Sequence, residues 1–184
     1  MRNFIYVKER FFPVDWCQYY VSLIEKGIEE GITWQGMIGG GKVNKKMKSA
    51  DDLCLSADLP QEIDKVLPFF EEAVYQYREF SDILVNVNEI SEITVRKYSE
   101  GEGYYRNHVD VNWGENLRRA FVILIYLNDV IEGGELYLRN HDFEIKPQQG
   151  MLVMFPSGWT WEHEARTVLK GDRYIMRSFG LICP

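Results

Sequence analysis

Residues 118–126 (RRAFVILIY) contain six consecutive apolar residues, from Ala120 to Ile125. A short apolar run bounded by polar residues is typical of a strand that is buried on both faces. Residues 92–98 (EITVRKY) and 173–179 (RYIMRSF) alternate between polar and apolar side chains, which favours two further strands. We therefore expect a mainly β region over about residues 83–182.

A metal site is predicted by the triplet His108-Val109-Asp110 and by a later histidine, His163. Residues i and i+2 of a strand point to the same side, so an imidazole and a carboxylate can bind one ion together. A second imidazole from a neighbouring strand completes a face of two His and one carboxylate. This face leaves three positions of an octahedral ion open, as non-haem Fe(II) requires to bind a chelating co-substrate and O2.

Chance is the alternative explanation for the His-x-Asp triplet, because such a short motif also arises at random. Its position among predicted strands is what favours a site. The remaining histidine, His141, is followed at once by Asp142, and these two side chains would face opposite sides of a strand. We therefore assign His141 no role as a metal ligand.

A carboxylate anchor is predicted at Arg173, ten residues after His163. The turn signal Lys170-Gly171-Asp172 lies between them and predicts an antiparallel pair of strands that places both side chains in one cavity. The planar guanidinium of an arginine binds a carboxylate through two parallel hydrogen bonds and stays charged. A dicarboxylic 2-oxo acid could chelate iron at one end and meet Arg173 at the other. The alternative is a surface arginine on an edge strand.

Four further motifs accompany these residues, and together they resemble the Fe(II) and 2-oxoglutarate-dependent dioxygenases, in particular the prolyl 4-hydroxylase-like branch. The resemblance runs from about residue 92 to residue 179. The motifs are Tyr98-Ser99-Glu100-Gly101, Ile125-Tyr126-Leu127-Asn128, Gly133-Gly134-Glu135-Leu136 and Gly150-Met151-Leu152-Val153-Met154-Phe155.

The resemblance implies a mainly β fold with supporting α-helices, in which N-terminal helices pack on a double-stranded β-helix (jelly-roll, cupin-like) core. It implies Fe(II) bound by His108, Asp110 and His163, with 2-oxoglutarate as co-substrate and O2 as oxidant, and it leaves ascorbate open as a further cofactor. Tyr98 and Tyr126 would line the 2-oxoglutarate pocket, and Tyr126 would help Arg173 to hold the distal carboxylate. Both tyrosines could instead be ordinary half-buried strand aromatics.

The activity implied by the resemblance is hydroxylation of prolyl residues in a protein or peptide, with release of succinate and CO2. Two departures leave the substrate open: the anchor Arg173 stands where collagen-type members carry lysine, and the Gly133 loop carries no extra recognition domain. One alternative is an oxygenase that acts on a small molecule, such as a free amino acid or a modified nucleobase. Another is a non-catalytic jelly-roll binding module that has kept the ligands.

Two amphipathic helices are expected before the β region, over residues 14–30 and 61–80. Asp15 at the start and Gly31 at the end mark the first helix. In the second, Pro68 is expected to break or kink the helix. We expect one domain over residues 1–184, with helical support from 13 to 80 and the catalytic jelly-roll from about 83 to 182.

The composition favours a soluble intracellular protein. Net charge is -7 at pH 7, which disfavours a nucleic-acid partner. No apolar run reaches the roughly 18 residues of a membrane span, and the N-terminus lacks the pattern of a signal peptide, so we expect a cytoplasmic location without membrane attachment. Three scattered cysteines, Cys17, Cys54 and Cys183, indicate neither a disulfide framework nor a zinc cluster. The oligomeric state stays open.

Residues 39–48 (GGGKVNKKMK) are rich in glycine and lysine, which predicts a mobile loop rather than a strand. This segment is either a solvated linker or a lid that closes over the substrate. Trp113, Trp159 and Trp161 flank the predicted ligands. They either wall the mouth of the pocket or serve packing alone.

Overall fold

A computed structural model describes residues 4–38, 41–82, 87–111 and 114–182 of the chain. Four residues that entered the sequence analysis, Gly39, Gly40, Trp113 and Cys183, lie outside these ranges. The described residues are mainly antiparallel β-strand with three α-helices, which confirms the expected fold class. No helix within those ranges is both long and apolar enough to span a membrane.

The first helix, α1 (Val14–Glu30), has the predicted bounds. It ends because Gly31 adopts a left-handed conformation with φ 70°, and the Gly31 N–H closes the last turn on the carbonyls of Gly27 and Ile28. Tyr20 and Ile24 lie on its buried face with no exposed surface. The helical period of the apolar residues therefore predicted both the element and the face that it buries.

A short helix, α2 (Leu55–Asp58), and a 3₁₀ turn (Pro60–Glu62) lead into the long helix α3 (Ile63–Ser81). The expectation that Pro68 breaks the helix is wrong, since α3 continues through it. Pro68 lies in the second turn of α3, so it removes one backbone hydrogen bond of the helix. The buried residues Phe70 and Tyr77 hold the helix against the sheet on the C-terminal side of the proline.

The strands of the described residues, numbered in chain order, are β1 (Tyr6–Lys8), β2 (Trp34–Gln35), β3 (Met37–Ile38), β4 (Lys42–Val43), β5 (Lys48–Ser49), β6 (Asp51–Cys54), β7 (Val87–Ile90), β8 (Thr94–Tyr98), β9 (Tyr104–His108), β10 (Arg119–Tyr126), β11 (Glu132–Gly133), β12 (Leu136–Leu138), β13 (Phe143–Ile145), β14 (Leu152–Pro156), β15 (His163–Ala165), β16 (Val168–Lys170) and β17 (Arg173–Ile182). The three predicted strands correspond to β8, β10 and β17. Two further 3₁₀ turns cover Gly114–Arg118 and Arg139–His141.

These strands form two main antiparallel sheets. The larger sheet has the order β1-β14-β10-β17-β8-β6-β2, with β7 paired to the end of β17. The smaller sheet has the order β13-β12-β15-β9-β5. Two short pairs, β11 with β16 and β3 with β4, complete the described strands.

The apolar run in β10 is explained by a core on each face of the larger sheet. Phe121, Ile123 and Ile125 belong to a cluster that includes the buried faces of α1 and α3. Leu124 and Tyr126 point the other way, into a cluster shared with the smaller sheet. Each fully buried aliphatic or aromatic side chain contributes about 1.5–3 kcal/mol to folding, so two cores require this strand to be apolar on both faces.

Two expectations for the N-terminal region need correction. Residues 13–80 are not purely helical support, because residues 34–54 form five short strands. Among these, β2 and β6 extend the larger sheet, and β5 extends the smaller one. Residues 39–48 were expected to be a loop without strands, yet β4 and the first residue of β5 fall within them. Pairing of β4 with β3, and of β5 with β9, overrides the weak strand propensity of these lysines.

Candidate active site

The three predicted metal ligands lie together between the two sheets. His108 ends β9 and His163 begins β15, and the two are directly paired across these antiparallel strands. Asp110 lies just beyond β9, with Oδ1 3.8 Å from Nε2 of His108 and Oδ2 3.3 Å from Nε2 of His163. The potential ligand atoms of all three residues lie within 4.8 Å of one another, so one ion can contact them all.

Backbone carbonyls set the tautomer of both imidazoles. Nδ1 of His108 lies 2.8 Å from the carbonyl oxygen of Arg106, and Nδ1 of His163 lies 3.0 Å from that of Trp161. A carbonyl can only accept, so each Nδ1 carries the proton and each Nε2 presents a lone pair toward Asp110. This is the arrangement in which protein imidazoles bind metals.

The charge state of the cluster also fits a divalent metal. Burial, followed by the proximity of His163, lowers the pKa of His108 to about 3, so this imidazole is neutral at physiological pH. Burial alone would raise the pKa of Asp110, but the neighbouring imidazole and guanidinium groups lower it below its ordinary value. One buried carboxylate beside neutral imidazole nitrogen is a donor set that suits Fe(II).

Aromatic packing holds the ligands in place. The ring of Tyr105 stacks on His108 with 3.4 Å between centroids and an angle of 18° between planes. The ring of Phe155 meets His163 edge-on at 4.9 Å. These contacts restrict the rotation of each imidazole about its side-chain bonds, and sequence reasoning did not find either aromatic residue.

Arg173 lies at one end of the same cavity, which has a volume of about 640 Å³. Its side chain is buried, its Nη1 donates to the carbonyl of Gly134, and its guanidinium lies 3.9 Å from the ring centre of Tyr98. Nε of Arg173 is buried without a hydrogen-bond partner among the described residues. The guanidinium is therefore oriented, yet keeps donor capacity for a further ligand.

The route by which Arg173 reaches the cavity differs from the prediction. His163 and Arg173 do not lie on paired strands: β15 pairs with β9 and β12, whereas β17 pairs with β7, β8 and β10. The expected hairpin is wrong because β16 intervenes and pairs with β11. His163 and Arg173 line the same cavity, His163 from the smaller sheet and Arg173 from the larger one.

Tyr98 and Tyr126 are both buried and line the cavity near Arg173. Tyr98 is the direct pairing partner of Arg173 across β8 and β17. Burial raises the pKa of Tyr126 to about 12, so its hydroxyl is protonated and can donate a hydrogen bond. The positions agree with the predicted 2-oxoglutarate pocket, and the roles of the two tyrosines stay predictions.

The remaining sequence-predicted residues are placed as follows. Trp159 is 80% exposed, and Trp161 is buried against His141, so neither of these tryptophans lines the cavity among the described residues. His141 lies outside the metal cluster, as expected. Gly133 adopts φ 74°, and a Cβ there would lie 2.3 Å from the carbonyl of Thr167, so this turn requires glycine.

The cavity also contains charged side chains that sequence reasoning missed: Lys48, Asp52, Glu92, Arg96, Arg119 and Arg177. A signal existed for Arg177, because it lies four residues after Arg173 on the same face of an alternating strand. Nothing in the sequence indicated that Lys48 is buried, because it lies in the segment expected to be a solvated linker or a lid. In the structure its exposed fraction is 2%.

Comparison with known proteins agrees with this geometry. Residues 93–179 match the family model of the 2OG-Fe(II) oxygenase superfamily. The matched segment contains all three predicted metal ligands and Arg173, and it supports the expected 2-oxoglutarate-dependent dioxygenase. Among curated proteins, none matches the sequence.

Solved structures of similar fold include three prolyl hydroxylases. One is a prolyl-4-hydroxylase from Pseudomonas putida (TM-score 0.77, 18% identity, 96% of this chain and 92% of that chain). Another is a prolyl hydroxylase from Trichoplax adhaerens in complex with a hypoxia inducible factor peptide fragment (TM-score 0.80, 17% identity, 98% and 84%). A third is the viral collagen prolyl hydroxylase of Paramecium Bursaria Chlorella virus-1 in complex with 2OG (TM-score 0.72, 17% identity, 96% and 95%). At these identities the likeness shows the fold, which is the predicted double-stranded β-helix.

Proposed function

We propose that this 2OG-Fe(II) oxygenase hydroxylates prolyl residues in a protein or peptide, with release of succinate and CO2. The observation that carries the proposal is the convergence of His108, Asp110, His163 and Arg173 on one cavity. The similar structures add support for the substrate, since three are prolyl hydroxylases and one of these holds a peptide.

In this proposal, His108, Asp110 and His163 hold Fe(II) through Nε2, a carboxylate oxygen and Nε2. When bound, the iron supplies the oxidising chemistry that uses O2 and 2-oxoglutarate to hydroxylate a C–H bond. The chain's own task is to keep both Nε2 atoms unprotonated. The carbonyls of Arg106 and Trp161 accept the Nδ1 protons, so in each neutral ring the lone pair lies on Nε2.

Arg173, Tyr98 and Tyr126 hold 2-oxoglutarate at the closed end of the cavity. The guanidinium of Arg173 is fixed by the Gly134 carbonyl and by the Tyr98 ring, and it meets the distal carboxylate with its remaining donors. Tyr126 adds a neutral donor. Because all three side chains are buried, water competes little with these bonds and each contributes more than it would at the surface.

Residues 39–48 serve as the predicted lid over the substrate rather than as a linker. Met37, Ile38 and Gly41 line the cavity next to Trp34, which is 48% exposed. A peptide that enters between this segment and the metal cluster would cover these apolar side chains. Lys45 and Lys46 stay exposed and are free to contact a substrate.

A peptide array tests the proposal directly. Prolyl peptides are incubated with the Fe(II)-loaded protein, 2-oxoglutarate and O2, and mass spectrometry records the gain of one oxygen atom. The His163→Ala variant serves as the control for non-enzymatic oxidation. We expect proline in the peptides to gain oxygen with the parent protein and not with His163→Ala. Turnover of 2-oxoglutarate that is stimulated by free amino acids or nucleobases and by no peptide would contradict the substrate assignment.

A further inference from the structure

The cavity carries a second group of cationic side chains, away from Arg173. Arg173 and Arg177 project from the same face of β17, and four residues of strand separate their Cα atoms by about 13 Å. The pairing partner of Arg173 is Tyr98, whereas that of Arg177 is Thr94, at the other end of β8. Arg177 therefore cannot share the carboxylate held by Arg173.

Four cations and two carboxylates line this second end. The cations are Lys48, Arg96, Arg119 and Arg177, and the carboxylates are Asp52 and Glu92. At the catalytic end, the charges of Fe(II) and Arg173 are balanced by Asp110 and the two carboxylates of 2-oxoglutarate. With four cations against two anions, the second end keeps an excess of two positive charges.

The ion pairs within this group do not include Arg177. Asp52 binds Arg96 through two contacts, of 2.5 and 2.8 Å, and it also binds Lys48 at 3.0 Å. Burial and the nearby Arg96 lower the pKa of Lys48 to about 7, so Lys48 contributes only part of the excess at neutral pH. Arg119 donates from Nη1 to the backbone carbonyl of Asp110 at 3.1 Å.

Arg177 has no hydrogen bond and no ion pair among the residues that the structure describes, and its Nε is buried without an acceptor. Its contact is with Phe179, whose ring centre lies 4.7 Å from the guanidinium. Burial, followed by the repulsion of Arg96, lowers the pKa of Arg177 to about 10. The carboxylates of Asp52 and Asp110 attract Arg177 from beyond ion-pair distance, so an anion that enters the cavity could pair with its guanidinium directly.

We infer that Arg177, with Arg119 beside it, binds a carboxylate of the substrate at the end of the cavity remote from 2-oxoglutarate. The inference rests on the proposed function in one respect, since it takes this cavity to be the substrate site of an oxygenase. Arg119 already donates to the backbone carbonyl of Asp110, so a carboxylate held between Arg119 and Arg177 would lie beside the metal cluster. The bond to be hydroxylated would then belong to the same residue or to its direct neighbour.

The carboxylate can come from two sources, and matched probes distinguish them. One pair is N-acetylproline and its amide, which tests a terminal or free carboxylate. The other pair is a capped tripeptide with glutamate next to proline and its glutamine counterpart, which tests a side chain. Affinities are measured by calorimetry on protein loaded with Mn(II) and 2-oxoglutarate in the absence of O2. We expect at least one acid probe to bind at least about tenfold more tightly than its neutral counterpart.

The variant Arg177→Gln should remove this preference for the acid probe and leave the affinity for 2-oxoglutarate unchanged. Arg177→Lys should keep part of the preference, because the charge remains. Arg166→Gln is the matched control, since Arg166 pairs with Glu144 and Glu164 outside the cavity.

Equal affinity of the parent for acid and neutral probes, including no binding of either, would overturn the inference. So would weaker binding of 2-oxoglutarate to Arg177→Gln, since that would place Arg177 at the co-substrate. Failure of the proposed function looks different. A preference for acid probes that depends on Arg177, without oxygen gain on any prolyl peptide, would overturn prolyl hydroxylation and leave the carboxylate site in place.

Discussion

His108 and His163 are direct partners in the antiparallel pair of β9 and β15, with 4.2 Å between their ring centroids. The sequence separates them by 55 residues, and the register of two short strands brings them together. Each ring is held by a carbonyl two residues before it. The site is therefore built largely by backbone geometry, which is rigid because it belongs to the sheet.

Removal of any metal ligand should abolish turnover of 2-oxoglutarate. We expect this for His108→Ala, Asp110→Ala and His163→Ala, because a face of three ligands cannot lose one without loss of affinity or geometry. Metal content by mass spectrometry and succinate release are measured together. His141→Ala, at the histidine outside the cluster, is the matched control and should keep both. Full activity of Asp110→Ala would rule out the ligand assignment.

Replacement of the co-substrate anchor should act on 2-oxoglutarate affinity. Arg173→Ala removes a charge-assisted contact of about 2 to 5 kcal/mol, so the 2-oxoglutarate requirement should rise by tens to thousands of fold. Arg173→Lys should raise the requirement less, and Tyr126→Phe should weaken 2-oxoglutarate binding by about 1 kcal/mol. Titration of 2-oxoglutarate against succinate release measures all three, with iron content as the control. An unchanged requirement in Arg173→Ala would place the anchor elsewhere.

The lid should respond to lysine substitution and to protease. The variants Lys45→Ala and Lys46→Ala should depress hydroxylation of the substrate and spare iron binding and uncoupled decay of 2-oxoglutarate, because neither side chain lines the cavity. Trypsin should cut the free protein after exposed Lys45 or Lys46 and spare the buried Lys48, and substrate should protect the cut site. Lys26→Ala, on α1, is the control. Unchanged hydroxylation below substrate saturation would favour the linker interpretation.

Lys48 should give the protein a pH-dependent stability. Burial lowers its pKa to about 7 in the folded state, against an ordinary value of 10.5, so between these values the unfolded chain binds one proton more. Stability then rises with pH in this window, by at most about 1.4 kcal/mol per pH unit. From pH 7 to pH 9, the free energy of unfolding of the parent, measured in urea, should rise by about 2 kcal/mol more than that of Lys48→Met. A difference that does not change with pH would mean that Lys48 stays charged.

The described cysteines should differ in reactivity. Cys17 is fully buried in the helical core, and burial raises the pKa of its thiol to about 11. Cys54 is partly exposed and lines the cavity. In a Cys183→Ser background, iodoacetamide should modify Cys54 first and reach Cys17 only after unfolding, as followed by mass spectrometry. Rapid modification of Cys17 in the folded protein would contradict the packing of α1.

Part of the fold could be predicted from the sequence because its signals are local. The bounds of α1 follow from apolar periodicity and from Gly31, and the apolar run in β10 follows from burial on both faces. The five short strands between α1 and α2 were missed. Each has only two to four residues, so pairing with distant strands decides their conformation rather than their own side chains.

By itself, the sequence determined the ligand set, the anchor and the alternating strands that carry them. The sequence shows these residues through two short spacings: His108 lies two residues before Asp110, and His163 lies ten residues before Arg173. Each spacing lies within one short stretch of the chain, so it can be read without the fold. Only the tertiary structure decided that Arg173 faces the ligands from the opposite sheet, and that Nε of Arg177 is buried without a hydrogen-bond partner among the described residues. The physical reason is that burial and ion pairing depend on which distant segments pack together, and a linear pattern of residue types does not contain that information.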